Sequence, residues 1–371
     1  MASLLVLQRP IMAAEVPHIT PRKLKTIVND TKKCAQAVNL KYVTDSEPGI
    51  NRIRKGKKFV FVLNQKKLNS KEELNRIKSL VIPPAWDNVW ICKYADGHIQ
   101  CTGIDDKKRK QYKYHSLWNQ LRNQTKFFRM IEFGESLPQL RLQLEKDISQ
   151  PELTEQKVLT TVISLMERTY IRVGNSAYEK LYGSHGLTTL KDNNIKIVND
   201  RLTFAFKGKK GIDHNISIKN KRLAKVVKQC RDIPGKELFQ YKDESDNYRS
   251  IDSGKVNNYI KNSTGKEFTA KDFRTWAGTL KALQAFKKIG FADDATQTKK
   301  NVAEALDYVS SQLGNTRTVC KKYYVHPIII ELYENKNLQS YLQELDSIEK
   351  DDNKTGLTSE EKIVMKILSA K

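Results

Sequence analysis

The chain lacks several patterns that would mark large classes of protein. It has no run of about 18 apolar residues, so no membrane-spanning helix is expected. Its five cysteines (Cys34, Cys92, Cys101, Cys230 and Cys320) are scattered, odd in number and without a C-x-x-C pair. That argues against a disulfide framework or a structural zinc site and favours free thiols in a reducing compartment. The six histidines (His18, His98, His115, His185, His214 and His326) show neither H-x-x-x-H nor H-E-x-x-H spacing, so no metal-ligand set is visible. The opening MASLLVLQRPIMAAE has no basic leading region and is interrupted by Arg9-Pro10; it reads as an arm rather than a secretory signal. Acidic residues are scarce, with 42 Asp+Glu against 66 Lys+Arg and a formal net charge of +24. That excess points to a polyanionic partner, nucleic acid first and an acidic membrane surface second.

The 371 residues suggest two or three domains. A helix is expected from Thr20 to about Asn39, because Pro21 follows a capping Thr20 and Leu24, Ile27 and Val28 fall at helical spacing. The run FVFVL (59–63) reads as a strand. The basic stretch before it, with Arg52, Arg54, Lys55, Lys57 and Lys58, is either a solvated hairpin or a phosphate-contacting edge. Ser70-x-x-Glu73 has the form of a capping box, and Asp96-Gly97 joins the strands VWICKY and HIQCTGI. The run DDKKRKQYKYHSLW then interleaves basic residues with Gln111, Tyr112, Tyr114 and Trp118, a mixture suited to phosphate neutralisation and base or sugar contact. Helices are expected over 115–131, 138–147 and 154–171, then three strands between 195 and 218, then helices over 219–231, 253–261, 271–289, 298–313, 320–334 and 337–348. A polar loop over 351–356 and a terminal helix opened by Thr358-x-x-Glu361 complete the chain. The expected division is an arm over 1–20, a β-rich domain over 21–125 and a mostly helical domain over 126–371.

The stretch LGNTRTVCKKYYVHP (313–327) holds two adjacent tyrosines in basic company. A phenol with a pKa of roughly 10 is a poor nucleophile at neutral pH and needs cations to stabilise developing charge. Four places could supply that help. Arg172 closes an apolar-patterned helix, where it could equally serve the helix dipole. Lys209 lies in the turn FKGKKG, where lysines are usually just solvated. Arg274 lies in KDFRTWAG, and Asn315 follows a helix stop as a C-cap residue would. Together they form a coherent set for attack of a tyrosine on a phosphodiester. Two arginines can clamp the non-bridging oxygens, an amide N–H can add a third contact, and a lysine can protonate the departing oxygen.

In this order the set resembles the type IB DNA topoisomerases, the small poxvirus and bacterial form in particular. The resemblance rests on IPPAW (82–86), GHIQCTGIDDKKRKQYKYH (97–115), YIRVGNSAYEKLYGSHGLTTL (170–190), FKGKKG (206–211), DFRTWAGT (272–279) and LGNTRTVCKKYYVHP (313–327). It implies an α+β chain: a β-rich N-terminal domain and a mostly α-helical catalytic domain with a small β-meander. It also implies that Tyr324, nine residues after Asn315, is the nucleophile rather than Tyr323. Arg172 and Arg274 would hold the scissile phosphate and Lys209, rather than Lys210, would be the general acid. Asn315 stands where poxvirus enzymes carry His and bacterial ones Asn. Arg109, Gln111, Tyr112 and Tyr114 match a DNA-contacting run, and Tyr178 a further DNA-contacting tyrosine.

The implied activity is relaxation of supercoiled duplex DNA through a 3′-phosphotyrosine, with neither ATP nor metal, by a monomer closing as a clamp around the DNA. A tyrosine recombinase shares the Arg/Lys/Arg/Tyr chemistry, but the IPPAW and RKQYxY stretches speak against it. A non-catalytic DNA binder is opposed by all five positions being filled. The lysine- and asparagine-heavy composition suggests an AT-rich genome, hence a large DNA virus, with a virion or virus factory as the expected location and a bacterial cytoplasm otherwise.

Overall fold

The computed structural model of the chain describes residues 19–370 apart from residues 29, 57, 107 and 349–354. The expected arm therefore lies outside the described residues up to position 18, and so does most of the polar loop expected over 351–356. The chain divides into two compact units, the first ending at Phe128 and the second starting at Arg129.

In the first unit the helix expected from Thr20 is two short helices, α1 (Pro21–Ile27) and α2 (Thr31–Ala37). The cause is Asp30, whose carboxylate accepts from the backbone N–H groups of Lys32 and Lys33 at 3.0 and 3.1 Å and starts a new helix. Leu24, Ile27, Cys34 and Val38 from this pair pack with Trp118 and Leu121 in one buried cluster.

Among the described residues this unit also holds a six-stranded antiparallel sheet. Its strands are β1 (Ile50–Lys55), β2 (Lys58–Leu63), β3 (Lys66–Lys67), β4 (Asp87–Ile91), β5 (Ile99–Ile104) and β6 (Lys110–Tyr114), in the order β3-β2-β1-β4-β5-β6. A helix, α3 (Lys71–Ser79), lies between β3 and β4. Ser70 caps α3 by accepting from Glu73 N at 3.3 Å, but the Glu73 carboxylate turns to Arg76, so only half of the expected capping box forms. The basic β1–β2 hairpin has a structural task. Arg52 donates to the carbonyls of Pro83 and Trp86, and Arg54 to that of Pro84, which ties down IPPAW.

The helix α4 (Ser116–Ile148) leads from the first unit into the second. Two helices were expected here, and Pro138 lies inside the single one. Proline forfeits one backbone hydrogen bond and crowds the preceding turn. Burial of Phe133, Leu137, Leu140 and Leu144 on one continuous face outweighs that local cost.

The second unit continues with α5 (Glu155–Thr169), α6 (Ser176–Tyr182) and the expected meander of β7 (Ile195–Val198), β8 (Arg201–Lys207) and β9 (Asp213–Lys219), ordered β7-β8-β9. Then come α7 (Lys221–Arg231) and a hairpin that was not expected, β10 (Gln240–Lys242) with β11 (Tyr248–Ser250). The rest is helical: α8 (Ser253–Thr264), α9 (Ala270–Ile289), α10 (Ala295–Leu313), α11 (Arg317–Tyr323), α12 (Pro327–Glu334), α13 (Leu338–Ser347) and α14 (Ser359–Ser369). The expected fold class, a β-rich N-terminal part followed by a mostly helical catalytic part with a small meander, is what the chain adopts. One helix was expected over 320–334, yet α11 stops at Tyr323 and α12 starts afresh at Pro327. Proline suits the first turn of a helix, and His326 caps it by accepting from Ile328 N at 3.2 Å. Tyr324 thus leaves the helix at a break.

The terminal helix is fixed by a buried ion network. Glu361 is 3% exposed and accepts from Arg141 Nη1 and Nη2 at 2.9 and 2.8 Å, and from Trp276 Nε1 at 3.0 Å. Its capping box with Thr358 is complete in both directions. Burial raises the Glu361 carboxyl, but hydrogen bonding and the charge of Arg141 outweigh it and hold the pKa below the usual value. A depressed carboxylate pKa stabilises the fold above the unfolded pKa, and that share is lost as pH falls through the folded value. Glu361→Ala is therefore expected to cost about 3–5 kcal/mol in urea denaturation at neutral pH, because it strands a buried Arg141. The deficit against wild type should shrink in acid, below the ordinary glutamate range.

Candidate active site

Tyr324 is the C-cap of α11, with φ −126° and ψ −25°, and its N–H bonds Cys320 O at 3.0 Å. Its side chain is half-buried, whereas that of Tyr323 is exposed. The segment lies directly against α9. A Cβ on Gly278 would stand 2.6 Å from Tyr324 O and 2.9 Å from Tyr324 Cβ, so only glycine allows this approach. The next residue, Thr279, accepts from His326 N at 3.0 Å and fixes the chain beyond the tyrosine. One turn before Gly278 on the same helix face, Arg274 places its guanidinium 5.2 Å from the Tyr324 ring centroid.

Arg274 is only 5% exposed. Its Nη1 donates to Tyr170 O at 2.5 Å and its Nη2 to Leu313 O at 2.7 Å. Tyr170 presents that carbonyl as the C-cap of α5, where it adopts a left-handed conformation at φ 57°. Two residues on, Arg172 Nη2 donates to Gly314 O at 3.0 Å and to Asn315 Oδ1 at 2.9 Å. Since arginine can only donate, this bond fixes the amide orientation and leaves Asn315 Nδ2 as the remaining donor. Arg274 Nε and Asn315 Nδ2 are both buried donors without a hydrogen-bond partner among the described residues. Such groups are uncommon in native structures and costly unless something accepts from them.

Burial, and then the charge of Arg274, lowers the Arg172 pKa to about 10. Burial lowers that of Arg274 too, with the Tyr324 phenol partly opposing it. Among the described residues neither arginine forms an ion pair with a carboxylate. Two like charges and two buried donors gathered around one phenol are complementary to a tetrahedral oxyanion.

Arg172, Arg274, Asn315 and Tyr324 are thus brought together. Lys209 is placed differently, exposed at the tip of the β8–β9 hairpin between Gly208 and Lys210, which has φ 66°. His214, on β9, was weighed in the sequence only as a metal ligand and given no place in the site. It stacks on Phe206 at 5.0 Å between ring centroids. Burial, then the charges of Arg172 and Arg274, lowers its pKa. The alternation in DHNISIK, which puts His214 on one face with Ile216 and Ile218, was the signal that could have found it. The carbonyl of Tyr170 and the bare backbone of Gly278 were likewise not visible as site features.

In the first unit β6 is an edge strand that exposes Tyr112 and Tyr114, stacked at 5.8 Å. The buried Asp105 accepts from Arg109 Nε at 2.8 Å and from Gln111 Nε2 at 2.9 Å and so sets both side chains. Tyr178 lies on α6 in the second unit and is 49% exposed.

Comparison with known proteins gives the family. Residues 115–351 match the family described as the catalytic core of eukaryotic DNA topoisomerase I, and residues 58–105 match the N-terminal domain of bacterial DNA topoisomerase IB. The first match contains all of the clustered residues; the Arg109–Tyr114 run falls between the two. The chain is 33% identical over 296 residues to the DNA topoisomerase 1B of Acanthamoeba polyphaga mimivirus, covering 77% of this chain and 88% of that protein. It is 26% identical over 238 residues to the DNA topoisomerase 1B of vaccinia virus strain Copenhagen, covering 63% and 72%. Rabbit fibroma virus DNA topoisomerase 1 is 24% identical over 234 residues, covering 62% and 70%. With its helical core and its N-terminal segment both matched, and a viral relative aligned over most of both chains, the chain belongs to the type IB DNA topoisomerases.

Proposed function

We propose that the chain relaxes supercoiled duplex DNA by cutting and resealing one strand through Tyr324, and that the cluster around that residue is the cutting centre. The observation carrying this reading is the pair of buried, unaccepted donors, Arg274 Nε and Asn315 Nδ2, held beside a phenol and two guanidinium groups. A phosphodiester supplies what they lack. Its non-bridging oxygens accept from both arginines and from the Asn315 amide, and charge that grows during attack strengthens those bonds.

In this mechanism Tyr324 Oη attacks phosphorus and loses its proton to water. The bond to the 5′ oxygen breaks, and Lys209 protonates that leaving group. The product is a 3′-phosphotyrosine and a free 5′-OH. The cut strand swivels about the intact one, and the 5′-OH then attacks the phosphotyrosine to restore the original bond. Each phosphoester replaces another of similar energy, so the cycle needs neither ATP nor a metal ion. Asn315 does not titrate, so its part is hydrogen bonding and not proton transfer.

The DNA is held by charge and by the tyrosine-bearing edge of β6. Arg109 and Gln111, preset by Asp105, reach the backbone or groove, while Tyr112, Tyr114 and Tyr178 contact sugars or bases. The +24 charge makes this binding sensitive to salt, because each neutralised phosphate releases counterions. One copy of the chain closes around the duplex.

Two measurements test the reading. Plasmids supercoiled in either sense should both relax in EDTA without ATP. Strand joining between two sites without relaxation would instead indicate a recombinase, and binding without relaxation an inert binder. Lys209→Ala should slow cleavage of an ordinary phosphodiester by about 10²–10⁴-fold, the usual worth of a general acid. It should cleave a 5′-bridging phosphorothiolate at close to the wild-type rate, since a thiolate leaves without a proton. A Lys209→Ala enzyme equally slow on both would remove Lys209 from that role.

A further inference from the structure

We infer that His214 is the positioning residue that seats the Lys209 hairpin against the Gly314–Asn315 turn, and so aims the general acid at the leaving oxygen. The inference rests on the general-acid reading of Lys209 given above. It adds a residue that supplies no proton and touches no reacting atom, yet governs where the proton comes from.

Lys209 follows Gly208 in a tight turn, in which Gly208 N donates to Ile212 O at 2.8 Å and Gly211 N to Gly208 O at 3.0 Å. The turn therefore moves as one piece with the strand ends beneath it, where Phe206 pairs with His214 across β8 and β9. His214 stacks on Phe206 with an interplanar angle of 18°, which fixes the imidazole plane on the hairpin's inner face.

Two glycines from distant parts of the chain meet that ring. A Cβ on Gly208 would lie 2.6 Å from both His214 Cδ2 and Nε2. A Cβ on Gly314 would lie 2.6 Å from His214 Cε1 and 3.1 Å from Nε2. The imidazole is thus packed between the backbone beside Lys209 and the backbone beside Asn315. Arg172, which bonds both Gly314 O and Asn315 Oδ1, comes to the same turn, its Nη1 3.7 Å from where a Gly314 Cβ would stand. Without the ring, the hairpin tip has lost the solid body that sets its distance from the phosphate-holding groups.

Gly208 offers an independent handle on the same contact. Its φ of −93° is open to any L residue, and the remaining close neighbour of a Cβ there, Ile212 O at 3.6 Å, is at ordinary contact distance. An alanine at 208 is therefore opposed by the His214 ring and by little else.

The test is single-turnover cleavage of two matched duplexes, one with the ordinary phosphodiester and one with the 5′-bridging phosphorothiolate. The full chain is used, and thermal melting and DNA binding are followed in parallel. His214→Ala should slow the phosphodiester by about 10²-fold, the scale of a misplaced catalytic group, and leave the phosphorothiolate near the wild-type rate. Gly208→Ala should show the same leaving-group-selective loss. The double variant Gly208→Ala/His214→Ala should be no slower than His214→Ala alone, since both changes break one contact.

Equal slowing of both substrates by His214→Ala would overturn the inference, because it would mark damage to the whole site. Wild-type rates in Gly208→Ala would overturn it as well. Lys209→Ala is the control that separates the two levels. If Lys209→Ala is rescued by the phosphorothiolate and His214→Ala is not, the positioning role fails alone. If Lys209→Ala is not rescued, the general-acid reading itself fails.

Discussion

Arg274 carries its positive charge at a position that is 5% exposed, with no carboxylate to neutralise it among the described residues. Removing an ion from water costs several kcal/mol unless polar groups replace the lost hydration. Here the carbonyls of Tyr170 and Leu313 do so in part, and each belongs to the end of a different helix. That single guanidinium therefore ties the end of α5 and the end of α10 to α9. Arg172 and Asn315 follow directly on those two ends. The left-handed Tyr170, an unfavourable conformation for an aromatic residue, is understandable as the geometry that turns its carbonyl to Arg274.

Tyr324 itself lies outside a helix. Within a continuous helix over 320–334 it would have a regular backbone and a side-chain direction set by the helix. The break between α11 and α12, with Gly278 and Thr279 packed against it, sets the ring beside Arg274 instead. Behind this layer, Trp276 from α9 donates to Glu361 of α14, and Glu361 is gripped by Arg141 of α4. The layer around Tyr324 is thus backed by a buried network that ties down the helix carrying Arg274.

Much of this was legible in the sequence, and the parts that were not share a cause. Strands and helices with strong periodicity, such as FVFVL, the meander and α9, appear as expected because local pattern and burial agree. The errors fall where a tertiary contact overrides a local preference. Asp30 starts a second helix inside an apparently single pattern. Pro138 is tolerated because the buried face around it is continuous. Pro327 could have signalled the break at Tyr324, since proline begins helices readily and interrupts them at a cost. Within the site, charged and polar side chains in a meaningful order could be picked out from the sequence. Backbone contributions could not: the Tyr170 carbonyl and the bare surfaces of Gly208, Gly278 and Gly314 act through shape, which spacing in a sequence does not express. His214 was given no place in the site for the same reason, because what it contacts is glycine backbone.

The central claim is that this cluster exists to present Tyr324 to a phosphodiester. The most direct measurement is to trap the covalent complex on a supercoiled or suicide DNA substrate, digest it, and map by mass spectrometry both the modified residue and the DNA end it carries. The expected result is a phosphate linking Tyr324 to a 3′ end, with a free 5′-OH on the other fragment. Attachment at Tyr323, or linkage to a 5′ end, would contradict it.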